Sequence, residues 1–201
     1  MSRIKEEDKI NTKNKILEAS ERMFIQQGYD QTTTKAIAQA CHIAEGTIFN
    51  YFKSKDDILV TIFENQLHTQ LNTIDDEDVV NFNALIEQII KPFNQLRVIP
   101  KKLMIDIIVI AVKKMKKKPS YMDRLAAMDY RYMAQIETLI KPLLKPSITI
   151  STHEISEIIY GSLFVELMMY LYHKEQSFEV FKTKVKQKVL FILNPCLIGG
   201  N

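Results

Sequence analysis

Apolar residues recur at helical spacing along almost the whole chain. In the N-terminal third, this periodicity predicts helices over residues 12–27, 35–41, 45–52 and 55–72. Beyond it, the same periodicity predicts helices over residues 82–96, 101–118, 121–141, 153–174 and 178–193. The two-residue signals of tight hairpins, such as Asn-Gly and Asp-Gly, are absent from the sequence. The pattern therefore predicts an all-α fold.

Glycine and proline mark the expected helix ends. Gly28 follows the first predicted helix, where a residue with positive φ is often required. Prolines stand at or near the later breaks, at Pro92, Pro100, Pro119, Pro142 and Pro146. Pro92 lies inside a predicted helix, and we expect a kink there because proline lacks the backbone N–H.

Composition narrows the class of protein. Hydrophobic residues make up 46% of the chain and charged residues 25%, the usual balance of a globular protein. Residues 1–15 are polar and lack the apolar core of a signal peptide, and the longest purely apolar run, 107–112, is too short to span a bilayer. Cys41 and Cys196 have no metal-ligand spacing. We expect a cytoplasmic protein without a membrane partner.

The charge balance of the N-terminal segment is unexpected for a DNA-binding domain. Residues 1–70 contain nine basic and ten acidic side chains. DNA-binding modules are usually basic, because neutralising phosphates supplies much of their affinity. Composition alone therefore does not support DNA binding, and the case rests on the sequence pattern.

Residues 32–59 carry that pattern. Two short predicted helices, 35–41 and 45–52, are joined by a tight turn and flanked by longer helices, as in a helix-turn-helix. This segment, together with Gly28 and Tyr29 before it, resembles the signature of the tetracycline-repressor (TetR) family. The resemblance covers about a quarter of the chain. The matching residues are Gly28, Tyr29, Thr33, Thr34, Ile37, Ala38, Ala40, Gly46, Thr47, Ile48, Phe49, Tyr51, Phe52, Lys55 and Leu59.

The resemblance implies a DNA interface at the two short helices. It would consist of Thr34, Lys35, Glu45, Gly46, Thr47, Phe49, Asn50, Tyr51 and Lys55. Thr34 and Lys35 open the first short helix, where a hydroxyl, free amides and a cation suit phosphate. The outward residues of the second would enter the major groove, where Asn50 can pair with adenine. Lys55 matches the family's phosphate-gripping lysine.

Four positions depart from the family pattern. His42 stands where the family usually has glycine, so a residue with a Cβ would adopt positive φ. Ala44 replaces a serine cap, which removes a hydrogen bond from the helix start. Glu45 replaces a frequent lysine and Phe49 a tyrosine, and both changes weaken the expected contact with phosphate. We therefore expect weak non-specific binding to DNA.

The remaining residues are expected to form a second domain. We predict a DNA-binding domain over 1–72 and an effector-binding and dimerisation domain over 73–201. The segment 155–172 is apolar on nearly every side, as in a helix buried on two sides. The resemblance implies that the last two helices pair with those of a second copy, and a homodimer would match a palindromic operator. The centre of a monomeric bundle is the alternative.

Two carboxylates among apolar residues are candidates for contact with an effector. Asp129 and Glu166 each lie on an apolar helix side, where an unpaired carboxylate could attract a cation. The alternatives are that Asp129 pairs with a nearby arginine, and that Glu166 lies in the dimer interface or at the surface. Met104, Met122, Met133, Phe164 and Met168 are further candidates, because they could line an adaptable apolar pocket around the effector. Ordinary core packing is the alternative for each of them.

No catalytic or metal-binding motif occurs, so we expect no enzyme, cofactor or metal site. The leading hypothesis is a homodimeric transcriptional repressor that leaves its operator when a small, largely apolar or cationic ligand binds. A helical lipid-binding or interaction protein whose helix-turn-helix no longer binds DNA is the second hypothesis.

Overall fold

The computed structural model describes residues 2–74, 81–117 and 119–197, with the side chains of 2–5, 117, 119–122 and 124 outside the description. The predicted all-α fold is confirmed. The α-helices are α1 (Ser2–Gln27), α2 (Thr34–Ala40), α3 (Glu45–Ile48), α4 (Lys55–Leu71), α5 (Phe82–Ile90), α6 (Lys101–Lys117), α7 (Pro119–Ile140), α8 (Thr152–Tyr172) and α9 (Phe178–Leu193). Among the described residues, extended pairing is limited to one isolated bridge between Leu144 and Leu197.

The chain divides into two compact units. The first contains residues 1–67 and 99–117, and the second contains residues 68–98 and 118–201. Helix α6 therefore belongs with the N-terminal helices, although it lies far beyond residue 72 in the sequence. This division differs from the sequence-based boundary in the placement of α6, and two functional domains at 1–72 and 73–201 remain a prediction.

Two helices in the first unit differ in length from the prediction. Helix α1 begins at Ser2, ten residues before the predicted start, and residues 6–11 are exposed. Because these turns bury nothing, apolar periodicity could not reveal them. Helix α3 ends at Ile48, four residues early, and the chain continues in single turns through Tyr51, whose N–H donates to the Ile48 carbonyl at 2.9 Å.

Pro92 acts as expected on the helix that contains it. Helix α5 ends at Ile90, and a 3-10 helix, Lys91–Arg97, follows with Pro92 in its first turn. Proline cannot donate the backbone hydrogen bond that would continue the α-helix, whereas the first turn of a helix needs no such donor.

The turn between α2 and α3 has both of the local features that were expected to lower its stability, a positive φ at His42 and a missing cap at Ala44. His42 has a φ of 56°, so the prediction of positive φ at a residue other than glycine is confirmed. Ala44 is the N-cap of α3 and makes no side-chain hydrogen bond to the helix. By contrast, Thr33 caps α2 by accepting from the Ala36 N–H at 3.1 Å.

The first unit is held together by aliphatic and aromatic side chains from each of its helices. Ile16 and Phe24 of α1, Ile37 of α2 and Ile48 of α3 are fully or almost fully buried. Helix α6 adds Leu103 and Ile107, which line a narrow apolar cleft together with residues of α1 and α4. Their burial fixes the two short helices on a support of three longer ones.

The second unit has an aromatic centre. Phe181 of α9 is fully buried and packs against Phe93, Tyr170 and Phe178, with ring centroids 5.6 to 5.7 Å apart. In length and composition, helix α8 resembles a membrane-spanning helix, but this is weak evidence for a membrane span because core helices share these properties. Its residues Ile159 and Leu163 are buried in the unit.

Replacing Ala44 with serine should stabilise the protein by about 1 kcal/mol, because the new hydroxyl can accept from a free N–H in the first turn of α3. Urea unfolding would measure the change. Ser54→Ala is the matched control, since the Ser54 hydroxyl accepts from the Asp57 N–H at 3.2 Å and its loss should destabilise by a similar amount. A neutral Ala44→Ser beside a destabilising Ser54→Ala would contradict the assignment of Ala44 as a cap.

Candidate nucleic-acid interface

The start of α2 presents the first two predicted interface residues. Thr33 caps the helix, which leaves Thr34 and Lys35 in its first turn. Ile37 and Ala38 are buried one turn later, so they fix the helix by its opposite side. Lys35 is exposed and Thr34 is half-buried. A helix start with an exposed lysine suits an anionic partner, because the free N–H groups and the side chain carry the same sign of charge.

The recognition segment is anchored by one side chain and presents the others. We use this name for residues 45–51, which comprise α3 and the turns after it. Ile48 is fully buried. The remaining six residues surround it: Glu45, Gly46, Phe49 and Asn50 are exposed, and Thr47 and Tyr51 are half-buried. Phe49 leaves 51% of its surface in solvent, so its ring is accessible to a partner.

A hydrogen bond joins the two parts of the interface. The Thr34 hydroxyl donates to Glu45 Oε1 at 2.6 Å, at an exposed position. The bond ties the start of α2 to the start of α3, and it holds the Glu45 carboxylate on the side of the molecule where Thr34 lies. Spacing in the sequence could not reveal this hydrogen bond, because it joins residues of two different helices.

Lys55 occupies a more internal position than the sequence suggested. Its ammonium donates to the carbonyls of Tyr29 at 2.7 Å and Thr32 at 2.8 Å. It also lies 4.1 Å from the centre of the Tyr29 ring. Two of its three donors therefore fasten the loop between α1 and α2, and contact with phosphate remains a prediction for the third.

Tyr29 and Asp56 also stabilise the loop between α1 and α2, through a contact that the sequence did not predict. The Tyr29 hydroxyl donates to Asp56 Oδ1, and its ring packs on Phe24 with centroids 5.4 Å apart. Burial, followed by the nearby Asp56 carboxylate, raises the pKa of the Tyr29 hydroxyl well above its usual value. Tyr29 therefore stays neutral and keeps donating, which fixes the loop that precedes Thr34.

The charge of the first unit differs from that of the N-terminal segment alone. Residues 99–117 contribute six lysines and one acidic residue to the same compact unit. Two of these lysines form ion pairs within it: Lys102 with Asp30 at 2.8 Å, and Lys114 with Asp57. The unit that contains the helix-turn-helix is therefore basic, although residues 1–70 are not.

The two candidate effector carboxylates have protein partners. Asp129 accepts a hydrogen bond from the Tyr160 hydroxyl at 2.6 Å. Burial raises the pKa of the Asp129 carboxyl, and the Tyr160 bond partly opposes that shift. Glu166 pairs with Lys188 at 2.6 Å, and its side chain is only 7% exposed. Asp129 therefore has a neutral hydroxyl as its partner, whereas Glu166 has a charged one, although its second oxygen, Oε2, is buried without a hydrogen bond. Contact of either carboxylate with an effector remains a prediction.

The candidate apolar pocket residues have different environments. Met104 is buried in the first unit, and Met133 is buried in the second. Met168 is half-buried and Phe164 is 51% exposed, both on α8. The side chain of Met122 lies outside the described residues. Within the second unit, Phe164 and Met133 therefore do not share a buried wall.

An open hollow of about 540 Å³ lies beside the start of α8 and is lined in part by Glu137, Lys141, Ile148 and His153. It contains none of the predicted effector residues. Over the described part of the chain, no cluster of three or more His, Cys, Asp or Glu side chains is placed to hold a metal ion.

The helix-turn-helix matches a known family model. Residues 16–62 match the model described as bacterial regulatory proteins, tetR family. The match covers the C-terminal part of α1, all of α2 and α3, and the first half of α4, and it contains every predicted DNA-binding residue.

Curated relatives match over the same part of the chain. The fatty acid metabolism regulator protein of Bacillus subtilis is 36% identical over 52 residues, which are 26% of this chain and 27% of that protein. The transcriptional regulator QacR of Staphylococcus aureus is 34% identical over 53 residues, which are 26% of this chain and 28% of that protein. These alignments span less than a third of either relative.

Solved structures resemble the chain over nearly its full length. A regulator from Mesorhizobium loti described as a putative tetR-family protein superposes with a TM-score of 0.70 at 13% identity, over 94% of this chain and 98% of its own. FadR of Thermus thermophilus, in complex with lauroyl-CoA, superposes with a TM-score of 0.62 at 16% identity, over 92% and 95%. At such low identity, these matches show the fold alone. Residues 16–62 are therefore similar to the helix-turn-helix of the tetR family of bacterial regulatory proteins, and nearly the whole chain shares the fold of these solved structures.

Proposed function

We propose that the protein is a DNA-binding transcriptional repressor. The observation that carries this proposal is the recognition segment, in which the burial of Ile48 leaves polar and aromatic side chains exposed within the matched family region. Exposed residues around a short, fixed helix suit the major groove, which admits a helix and presents a distinct pattern for each base pair. We expect the protein to act in the cytoplasm.

The interface residues divide into two roles under this proposal. Lys35 and the start of α2 contact phosphates, which position the protein but do not read sequence. Asn50 reads adenine, and Phe49 contacts a thymine methyl group. Glu45 can accept from cytosine N4, and its bond to Thr34 would orient it for that contact. A carboxylate at this place repels phosphate, so it favours specific over random DNA.

A homodimer is the second part of the proposal. Helices α8 and α9 expose large apolar side chains, and Tyr172 and Phe191 keep 80% and 83% of their surface in solvent. Along α8, Ile158, Gly161 and Val165 follow one another on a single exposed side. A Cβ at Gly161 would meet no atom within 4 Å, so packing within the chain does not require glycine there.

Gly161 instead suits a second copy. Glycine within a helix costs about 1 kcal/mol relative to alanine, and it allows another backbone to approach closely. Exposed apolar patches of this kind commonly mark interfaces between proteins. A two-fold dimer would also present two recognition segments to a palindromic operator.

The proposed effector is a small, largely apolar molecule. The environments of Asp129 and Glu166 favour an uncharged or acyl ligand over a cation, because Lys188 already supplies the charge partner of Glu166 and burial raises the pKa of Asp129 towards the neutral form. The names of two relatives support this choice: one is a fatty acid metabolism regulator, and another structure holds lauroyl-CoA. Ligand binding would shift the spacing of the recognition segments and lower affinity for the operator.

An interaction protein without DNA-binding activity is the alternative. The internal position of Lys55 and the carboxylate of Glu45 favour it, because both reduce the positive charge available to phosphate. The two proposals differ in whether the protein protects any DNA.

DNase footprinting on a fragment from upstream of the protein's own gene should show protection of a palindrome with half-sites about 34–36 Å apart. Asn50→Ala should lower affinity for that site by about ten- to a hundredfold, since a lost base contact costs about 1–3 kcal/mol. Asn94→Ala, at an exposed asparagine of the second unit, should change nothing. Protection that is unaffected by Asn50→Ala would contradict the assigned reading residue.

Calorimetric titration with dodecanoate and dodecyltrimethylammonium, below their micelle-forming concentrations, should show tighter binding of the acyl compound by about tenfold or more. The quaternary ammonium would be buried as an unpaired charge, whereas a carboxyl group can bind as the neutral acid or accept hydrogen bonds. Asp129→Asn should leave that affinity within about twofold, because Tyr160 rather than the ligand is the partner of Asp129. Tighter binding of the cation, weakened by Asp129→Asn, would favour a cation-binding pocket instead.

Gly161→Leu should convert the protein from a dimer to a monomer in sedimentation equilibrium experiments, because a bulky side chain prevents close packing of α8 with its copy. The isolated chain should fold at least as well as before, since the position is open and leucine favours helices by about 0.8 kcal/mol over glycine. Thr138→Leu, at an exposed position within α7, is the matched control and should leave the dimer intact. An intact Gly161→Leu dimer would exclude this side of α8 from the interface.

A further inference from the structure

Helix α6 packs against the helices of the first unit and is joined to them by ion pairs near both of its ends. The N-terminal half of α6 places Leu103 and Ile107 in an apolar cleft that is also lined by α4 residues such as Ile62 and Phe63. Near the C-terminal end of α6, Lys114 pairs with Asp57 in the first turn of α4. At the N-terminal end of α6, Lys102 pairs with Asp30 in the loop before α2. Both ends of α6 are therefore joined to residues that flank the helix-turn-helix, and Lys114 is the one joined to the start of α4.

That end of α4 adjoins the recognition segment. Only residues 52–54 separate the segment from the start of α4 at Lys55. Asp57 lies two residues further on, so Lys114 is held close to the part of the chain that follows the recognition segment. The pair is largely shielded from solvent, with side-chain exposures of 20% for Lys114 and 28% for Asp57. The end of α6 is therefore anchored there.

Lysines concentrate at this anchored end. We call Lys113, Lys114 and Lys116 the α6 lysine cluster; Lys113 and Lys116 are exposed. Cations at a helix C-terminus interact favourably with the helix dipole, but that effect is modest and falls off within the last turn. The helix dipole alone does not explain why Lys113 and Lys116 are exposed on either side of Lys114, which Asp57 already neutralises.

The rest of the first unit lacks positive charge for a polyanion. Its residues 1–67 contain nine basic and ten acidic side chains, and Lys55 is engaged by two carbonyls. Binding to DNA draws much of its free energy from cations that displace counterions from phosphates. A DNA-binding unit of this composition needs cations from elsewhere, and α6 contains six lysines.

We propose that Lys113 and Lys116 extend the DNA-binding surface and contact backbone phosphates beside the base pairs read by the recognition segment. This inference rests on the proposed function. The partner is double-stranded DNA of any sequence, because a flexible ammonium binds phosphate as a point charge and does not read bases. The cluster thus supplies affinity, and the recognition segment supplies specificity.

The test compares two double variants that remove the same charge. Lys113→Gln with Lys116→Gln changes the cluster, and Lys141→Gln with Lys186→Gln changes two exposed lysines of the second unit. Fluorescence anisotropy would measure binding of the full-length proteins to a random-sequence duplex of about 40 base pairs, long enough to span several helical turns. Each titration is repeated from about 50 to 200 mM NaCl, the range over which phosphate contacts are salt-sensitive.

The cluster variant should have a salt slope shallower than the wild type by about two units, one for each lost phosphate contact. Over that range, the wild type should therefore lose about tenfold more affinity than the cluster variant. The control variant should follow the wild type. Because all four lysines are exposed, every protein should show the same unfolding transition in urea.

Four outcomes would overturn the inference. Equal slopes for the wild type and the cluster variant would remove these lysines from the interface. Equal reductions in both double variants would indicate a general effect of net charge. Unchanged slopes, combined with loss of binding to phosphatidylglycerol vesicles in the cluster variant alone, would assign the cluster to an anionic membrane. A wild type that binds no duplex would overturn the proposed function as well.

Discussion

The burial of Ile48 is the constraint on which the proposed interface depends. A helix as short as α3 cannot be stable alone, because nucleation fixes several residues for one or two hydrogen bonds. Its first turn also lacks a capping side chain, and the turn before it contains His42 at positive φ. Tertiary packing must therefore supply the stability, and the fully buried Ile48 side chain is the one that α3 contributes to the core.

A second support holds the opposite end of the helix-turn-helix. Lys55 fastens the loop before α2 through the carbonyls of Tyr29 and Thr32, and Tyr29 in turn bonds to Asp56. Hydrogen bonds from a cation to buried or half-buried carbonyls are stronger than neutral ones. The start of α4 therefore positions Thr34 and Lys35. The residues proposed to contact DNA are thus held in place by Ile48 on one side and by Tyr29, Lys55 and Asp56 on the other, and these supporting residues can act without touching DNA themselves.

Much of this could be predicted from the sequence, for a clear physical reason. Helix positions depend on local periodicity, which a single sequence records. The positive φ of His42 and the missing cap at Ala44 were predicted from the resemblance to the tetR family, which usually has glycine and serine at these positions. The exposed N-terminal turns of α1 were missed because they bury nothing. The Thr34–Glu45 bond and the partners of Asp129 and Glu166 were missed because each joins different helices. A helical wheel describes one helix and contains no information about its neighbours.

The placement of α6 has a consequence for how parts of this chain can be recombined with those of other proteins. The chain passes between the two units at residues 67–68, 98–99 and 117–118, so the unit with the helix-turn-helix is not one continuous piece. A chimera that joins residues 1–72 of this chain to the remainder of a relative would separate Phe24, Leu59 and Phe63 from the α6 side chains that share their cleft. Modular exchange would therefore require transplanting residues 99–117 along with the N-terminal segment.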